Sequence, residues 1–142
     1  MRWLALDVGA RRVGAAVGST PGATATALPP FPFTGPDGVV RKVVELVREW
    51  DAGGVVVGVP HTRGGQGRGE RRVRAVIESL RAHLSLPVRT VDEGGTTAAA
   101  ERLLREAGVP RPRWRERIDG VAARLILEDF LARPDGDAGA AR

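Results

Sequence analysis

Three acidic positions stand where packing alone would favour an apolar residue. Asp7 interrupts the apolar run that starts at Trp3. A carboxylate inside a central strand is costly unless it is paired or holds a cation. Gly9, two residues on, lets backbone or ligand approach closely. Asp92 ends the stretch 87–92, which reads as a strand, and Glu93 follows it; in α/β sheets ligands gather beyond that end of a strand. Adjacent strand residues point to opposite faces, so one of this pair is expected on the face of Asp7. Asp119 has Ala122, Ala123 and Ile126 at i+3, i+4 and i+7, which sets it on or beside an apolar helix stripe. Asp129 is similarly placed, nearer the end of that helix. Taken singly, each acid is satisfied as a cap or a paired surface charge. Together, two strand-end carboxylates and one helical carboxylate can converge on one or two divalent ions. Hard cations such as Mg²⁺ and Mn²⁺ want oxygen ligands. Two of them about 3.5–4 Å apart activate a water and stabilise the leaving oxygen in phosphodiester cleavage. The chain has no cysteine and two histidines, His61 and His83. That excludes disulfides, thiolate metal sites, a cysteine nucleophile and a His-rich zinc site.

The charge fits such a substrate. Lys plus Arg number 22 against 17 Asp plus Glu, a net charge of +5. Lys42 is the single lysine; every other cation is arginine, whose planar fork grips phosphate with two hydrogen bonds. Biased base composition also enriches arginine, so the clusters carry more weight than the total. Arg11 and Arg12 follow the first strand, Arg63, Arg68, Arg71, Arg72 and Arg74 crowd one loop and helix start, and Arg111, Arg113, Arg115 and Arg117 alternate before the last helix. Basic clusters beside acidic motifs are the footprint of a nucleic-acid binder.

The elements that must position these residues alternate. Residues 3–8 and 13–18 read as two strands joined tightly enough for an antiparallel hairpin. A third strand is expected within 24–33, obscured by Pro29, Pro30 and Pro32. Val39, Val40, Val43, Val44, Val47 and Trp50 have helical spacing, with a start near Asp37 or Gly38. Residues 54–59 form an apolar run typical of a strand buried on both faces. Residues 61–69 hold four glycines and are expected to be a mobile loop that gates substrate. Val73, Val76, Ile77, Leu80 and Leu84 mark the next helix. A helix from Thr96 or Thr97 to Ala107 is closed by Gly108, and a last helix spans 114–131. The order β-β-β-α-β-α-β-α-α suits a mixed five-stranded sheet with helices on both faces and is compatible with a ribonuclease H-like fold. One domain over 1–133 and a disordered tail over 134–142 are expected.

In this order and spacing, LALDVGARRVGAAVG, VVVGVPHTRGG, VRTVDEGGTTAAAERLLREAG and RIDGVAARLILEDFL resemble the YqgF/RuvX family. These are bacterial nucleases of ribonuclease H-like fold, described as Holliday-junction-resolvase-like and as pre-16S rRNA nucleases. The resemblance covers about residues 3–133. It implies that Asp7 is the metal-ligating acid of the DxG motif, Glu93 the acid of the DER-type motif, and Asp119 the acid of the final helix. Asp92 is the second choice for the metal. It implies that these acids hold Mg²⁺ or Mn²⁺ for hydrolysis of a phosphodiester, and that Arg11 and Arg12 reach phosphate. Gly58 and Pro60 match the GxP turn beside the site, and Thr96 and Thr97 the pair that opens the following helix, where a hydroxyl can also serve as a cap. Arg63, Arg68, Arg71, Arg72, Arg113 and Arg115 are the remaining candidates for nucleic-acid contact. The chain departs from the family where Gly94-Gly95 replace the usual Arg-Leu and where His61-Thr62-Arg63 replace an Asn-rich segment. Both changes bear on substrate positioning; neither removes a proposed ligand. His61 is a solvated loop histidine or a substrate contact.

Two other classes compete. Actin-like ATPases and sugar kinases share the DxG start but need a second lobe, which 142 residues cannot supply, and no Walker-type GxxxxGK[ST] is present. A non-catalytic nucleic-acid-binding protein of the same fold would bind in a salt-dependent way without cleavage. The substrate, structured DNA or precursor 16S rRNA, is left open, as is a monomer or a homodimer. The residues carry no membrane span of about 18 apolar positions, and Asp7 breaks the N-terminal apolar run too early for a signal peptide. A cytoplasmic protein is expected.

Overall fold

The computed structural model describes residues 1–20, 22, 24–60, 67–92, 96–111 and 114–132, with the side chains of 96–99, 114–116 and 119 outside that description. The elements are β1 (Arg2–Val8), β2 (Arg12–Ser19), β3 (Ala25–Pro32), α1 (Pro36–Trp50), β4 (Gly54–Val59), α2 (Arg68–His83), β5 (Val88–Asp92), α3 (Thr96–Glu106) and α4 (Trp114–Leu131). The strands form one sheet in the order β3-β2-β1-β4-β5. β1 pairs antiparallel with β2, and β2 with β3. β4 and β5 run parallel to β1. The acid-bearing strand β1 is therefore the middle of the sheet, as its apolar neighbours require.

The two faces bury different helices. Leu4, Leu6 and Val8 of β1 pack with Val55, Val57, Val39, Val43, Val73, Val76 and Leu80, under α1 and α2. Trp3 and Ala5 pack with Val56, Val91, Ala123, Ile126, Leu127 and Phe130, under α4. The alternation along β1 thus puts position 7 on the α4 face. α3 packs on α4 rather than on the sheet.

The boundaries follow local chemistry. α1 starts with Pro36, whose missing N–H costs nothing in the first turn, and Asp37 complements the helix dipole. Gly108 adopts φ 77° after α3, the left-handed closure expected of it. β3 accommodates its prolines because it is an edge strand, where a missing ladder donor faces no partner. Val13 pairs with Phe31 but Ala15 pairs with Leu28, so one extra residue bulges from β3 within 29–30. The segment expected as a loop over 61–69 ends earlier: Arg68 and Gly69 already belong to α2. Residues 61–66 and the proposed tail lie outside the described residues, and no statement about gating follows. Among the described residues, no helix is long and apolar enough to cross a membrane.

Candidate active site

Asp7 sits one residue from the C-terminal end of β1 and is half-buried. Its partner across β2 is Gly14. On the other side, Leu6 pairs with Val57 of β4, so the next step of the same register sets Gly58 beside Asp7. Gly58 in turn pairs with Val91 of β5. Gly14 and Gly58 are both buried. The middle strand's carboxylate is thus flanked on both sides by positions without side chains, which leaves room beside it on the α4 face. A glycine inside a strand weakens the strand and often marks a close approach of another group.

α4 brings its N-terminal half to the same level. Phe130 stacks edge-on against Trp3 at the start of β1, with ring centroids 4.7 Å apart. Further up the helix, a Cβ on Gly120 would lie 3.2 Å from Cβ of Ala27 and 3.9 Å from the carbonyl oxygen of Leu28. Leu28 pairs with Ala15, and Ala15 with Leu6. Position 120 therefore sits at the level of Leu6, and position 119 lies on the same part of the helix. Position 119 also continues the row of Ala123, Ile126 and Phe130, which are buried on the α4 face.

The acids after β5 divide by alternation. Val91 packs with the α4 cluster. Thr90 and Asp92 instead line a cavity of about 350 Å³ with Val59, Arg74, Ile77, Glu78 and Arg81, on the α2 face. Asp92, the second choice as a metal ligand, is not brought to Asp7; the pleat sends it to the other side of the sheet. Glu93 itself lies outside the described residues, as do His61, Arg63 and Arg113. Thr96 and Thr97 open α3, and Arg115 lies in the first turn of α4.

Basic residues gather at this end of the sheet. Arg11 is exposed in the β1–β2 turn, and Arg12 begins β2 half-buried. Gly9 N–H donates to the Arg12 carbonyl at 2.9 Å, closing the turn. A Cβ on Gly9 would stand 2.8 Å from that same oxygen, closer than real contacts allow. Gly9→Ala should open the turn and destabilise the chain by about 1–3 kcal/mol, read as a lower thermal midpoint together with weakened cleavage. An unchanged midpoint would show that the turn has slack.

Arg68, Arg71 and Arg72 occupy the first turn and a half of α2, with Arg68 and Arg71 exposed. Cations at a helix N-terminus oppose the dipole. Glu70 offsets part of the conflict. It is only 6% exposed and accepts from Arg74 Nη2 at 2.7 Å. Sequence reasoning passes over Glu70, although it heads the row Val73, Ile77 and Leu80 on one helix face. It also passes over Gly14, whose single signal is a glycine inside a strand.

The donor chemistry fits a hard cation. Among the described residues, His83 is at the far end of α2, its Nδ1 within 2.8 Å of the Ser79 carbonyl, and the acid described on the α4 face, Asp7, offers oxygen ligands. Among the described residues no group of three or more candidate ligands is assembled; of the three expected acids, only the side chain of Asp7 is described.

Comparison with known proteins gives the family and the fold. The RuvX family, described as Holliday junction resolvase, matches residues 1–133. A protein of Pelotomaculum thermopropionicum named "Putative pre-16S rRNA nuclease" is 41% identical over 98% of this chain and 94% of its own. A protein of the same name from Chromohalobacter salexigens is 41% identical over 91% of this chain and 88% of its own. Among solved structures, Thermus thermophilus RuvC in complex with Holliday junction substrate superposes with a TM-score of 0.60 at 17% identity, over 97% of this chain and 98% of that one. The fowlpox virus Holliday junction resolvase gives 0.54 at 11% identity, over 92% and 98%. The five-stranded mixed sheet is thus the ribonuclease H-like fold of the RuvC-like resolvases, and the chain belongs to the RuvX family of nucleases.

Proposed function

We infer that the chain is a divalent-metal-dependent nuclease acting on structured, Holliday-junction-like DNA, on precursor 16S rRNA during 5′-end maturation, or on both. The observation that carries this reading is Asp7 in the middle strand, between Gly14 and Gly58, at the sheet end where the arginines of the β1–β2 turn and of α2 gather. Asp7, Glu93 and Asp119 are the residues that would hold Mg²⁺ or Mn²⁺. Such an ion, when bound, supplies activation of the attacking water and stabilisation of the leaving oxygen.

The chain's own residues do the rest. Gly14 and Gly58 keep the floor beside Asp7 clear for a phosphodiester. Gly9 holds the turn closed, so that Arg11 and Arg12 stand over the end of β1. Arg68, Arg71 and Arg72, with Arg63, Arg113 and Arg115, grip phosphates flanking the scissile bond and fix its register without reading sequence. Thr96 and Thr97 open α3 directly after the segment bearing Glu93. Pro60 ends β4 against the start of α2: a Cβ on Gly69 would lie 3.8 Å from its ring. These activities belong in the cytoplasm, where the nucleic acids are.

The test is a cleavage panel with Mg²⁺ or Mn²⁺ on a four-way DNA junction, a flap, single-stranded DNA and a precursor-like RNA. Metal-dependent cleavage of at least one is expected, and the preferred substrate chooses between DNA resolution and RNA maturation. Tight binding with no cleavage of any would contradict the reading in favour of a binding protein. The Arg68→Ala/Arg71→Ala/Arg72→Ala variant should weaken binding to all substrates alike. The slope of log affinity against log salt should fall by about 0.7–0.9 for each phosphate that is no longer neutralised. A weakening confined to one sequence would overturn the backbone role of α2.

A further inference from the structure

A second concave basic surface lies beyond the β1–β2 turn. Phe31, Pro32, Thr34, Gly38, Arg41, Lys42 and Glu45 line a cavity of about 310 Å³ between the end of β3 and the first turns of α1. The Lys42 side chain is 40% exposed, and its Nζ stands 6.0 Å from the centroid of the Phe31 ring. The one acid of the lining, Glu45, lies 3.6 Å from that Nζ. Both side chains of this pair are well exposed, so it is weak and open to competition. Arg41 is exposed, and its guanidinium folds back over the helix start: Nη2 would be 3.9 Å from a Cβ on Gly38. Gly38 has no side chain because the Thr34 hydroxyl takes the space that a Cβ would need. The cavity therefore presents two cations, a hydroxyl and an aromatic ring in one concave surface.

Its place in the fold connects it to Asp7. Arg12 pairs with Pro32, and Phe33 N–H donates to the Arg11 carbonyl at 2.8 Å. Arg11 thus lies between the two surfaces. β3 is two strands from β1, about 10 Å across the sheet, and Phe31 packs on the α1 and α2 face, opposite Asp7, so a strand that reaches both must pass the end of the sheet at Arg11.

We propose that this cavity is a second backbone subsite, in which Arg41 and Lys42 hold a phosphate of the nucleic-acid arm that leaves the Asp7 site over Arg11. The sugar or base beside that phosphate lies against Phe31 and Pro32. The subsite rests on the nucleic-acid reading given above and extends it to residues outside the catalytic end of the sheet. It adds affinity and sets the direction of the arm, and it reads no sequence, because it grips phosphate.

The single lysine makes the test specific. The protein's primary amines are Lys42 and the Met1 amine, and Met1 lies at the other end of β1, bonded to Thr20. The intact protein is acetylated with an amine-reactive ester, free and bound to a four-way DNA junction or to single-stranded DNA, in EDTA so that no cleavage intervenes. Mass spectrometry reads both amines. Acetylation of Lys42 is expected to slow at least about fivefold in the complex, with Met1 unchanged as internal reference. The Arg41→Gln/Lys42→Gln variant, altered only at surface positions, is expected to bind more weakly at 0.1 M salt, by about five- to eightfold for each phosphate left without its cation, and with a shallower salt slope. A complex in which Lys42 reacts as fast as in the free protein overturns the subsite and leaves the nuclease reading intact. So does a double variant that binds with unchanged affinity and slope. Absence of any nucleic-acid binding by the wild type would overturn both.

Discussion

Asp7→Asn is expected to lower metal-dependent cleavage by about a thousandfold or more while the chain stays folded. A loss of that size corresponds to about 4 kcal/mol of transition-state stabilisation, the scale expected when one anionic donor of a catalytic divalent ion is removed. Folding should survive because Asn matches Asp in size and the β1 ladder with Gly14 is made by backbone groups. Asn also keeps an oxygen acceptor at the same place, so the thermal midpoint should change little. Glu93→Gln and Asp119→Asn should each produce a comparable loss, and combining them with Asp7→Asn should add little, since residues that act as one unit are not additive. Single-turnover cleavage rates alongside thermal denaturation check this. Unchanged cleavage would remove Asp7 from the chemistry; cleavage abolished together with a large fall in midpoint would make its role structural.

Gly54→Ala is expected to be the most damaging small change to the fold. Gly54 opens β4, is buried and pairs with Trp3. A Cβ there would stand within 2.8 Å of three atoms of the Trp3 indole. The ring is 8% exposed and packs edge-on against Phe130, so it has no free direction in which to move. Overpacking costs about 1–3 kcal/mol, and loss of the aromatic pair about 0.5–1.5 kcal/mol more. Together these predict a fall of about 10 °C in thermal midpoint for a domain of this size. Gly53→Ala is the control. Its Cβ would meet Met1 side-chain atoms at 3.1 Å, but Met1 is 52% exposed and can move aside. That variant should stay within about 0.5 kcal/mol of the parent. Equal effects at the two positions would show that the strand, not the ring, is the cause.

The legible and illegible parts of this molecule separate by the range of the signal. β4 and α4 have the bounds that their patterns predict, because GVVVGV is an unbroken apolar run between turns and α4 repeats apolar residues at helical spacing. The Gly108 stop and the β1–β2 hairpin are equally local. β3 is blurred because its three prolines argue against a strand, and only its place at the sheet edge removes the conflict. That place is a property of pairing between distant segments. The same holds for the site. The pleat alone says that Asp92 and Glu93 must part, but that Asp92 falls away from Asp7 follows only from Val91 packing on the α4 face. Gly14 acquires meaning only when the register sets it, with Gly58, beside Asp7. Nothing in the sequence around Arg41 and Lys42 shows that the end of β3 lies against them.

Mn²⁺ binding to the wild type, Asp7→Asn and Asp92→Asn, with junction cleavage followed on the same samples, tests the central claim most directly: the metal and the reaction belong to the α4 face of the sheet. The wild type and Asp92→Asn should bind Mn²⁺ and cleave, and Asp7→Asn should do neither. Mn²⁺ binding and cleavage that survive Asp7→Asn but fail in Asp92→Asn would put the chemistry on the opposite face and contradict this account.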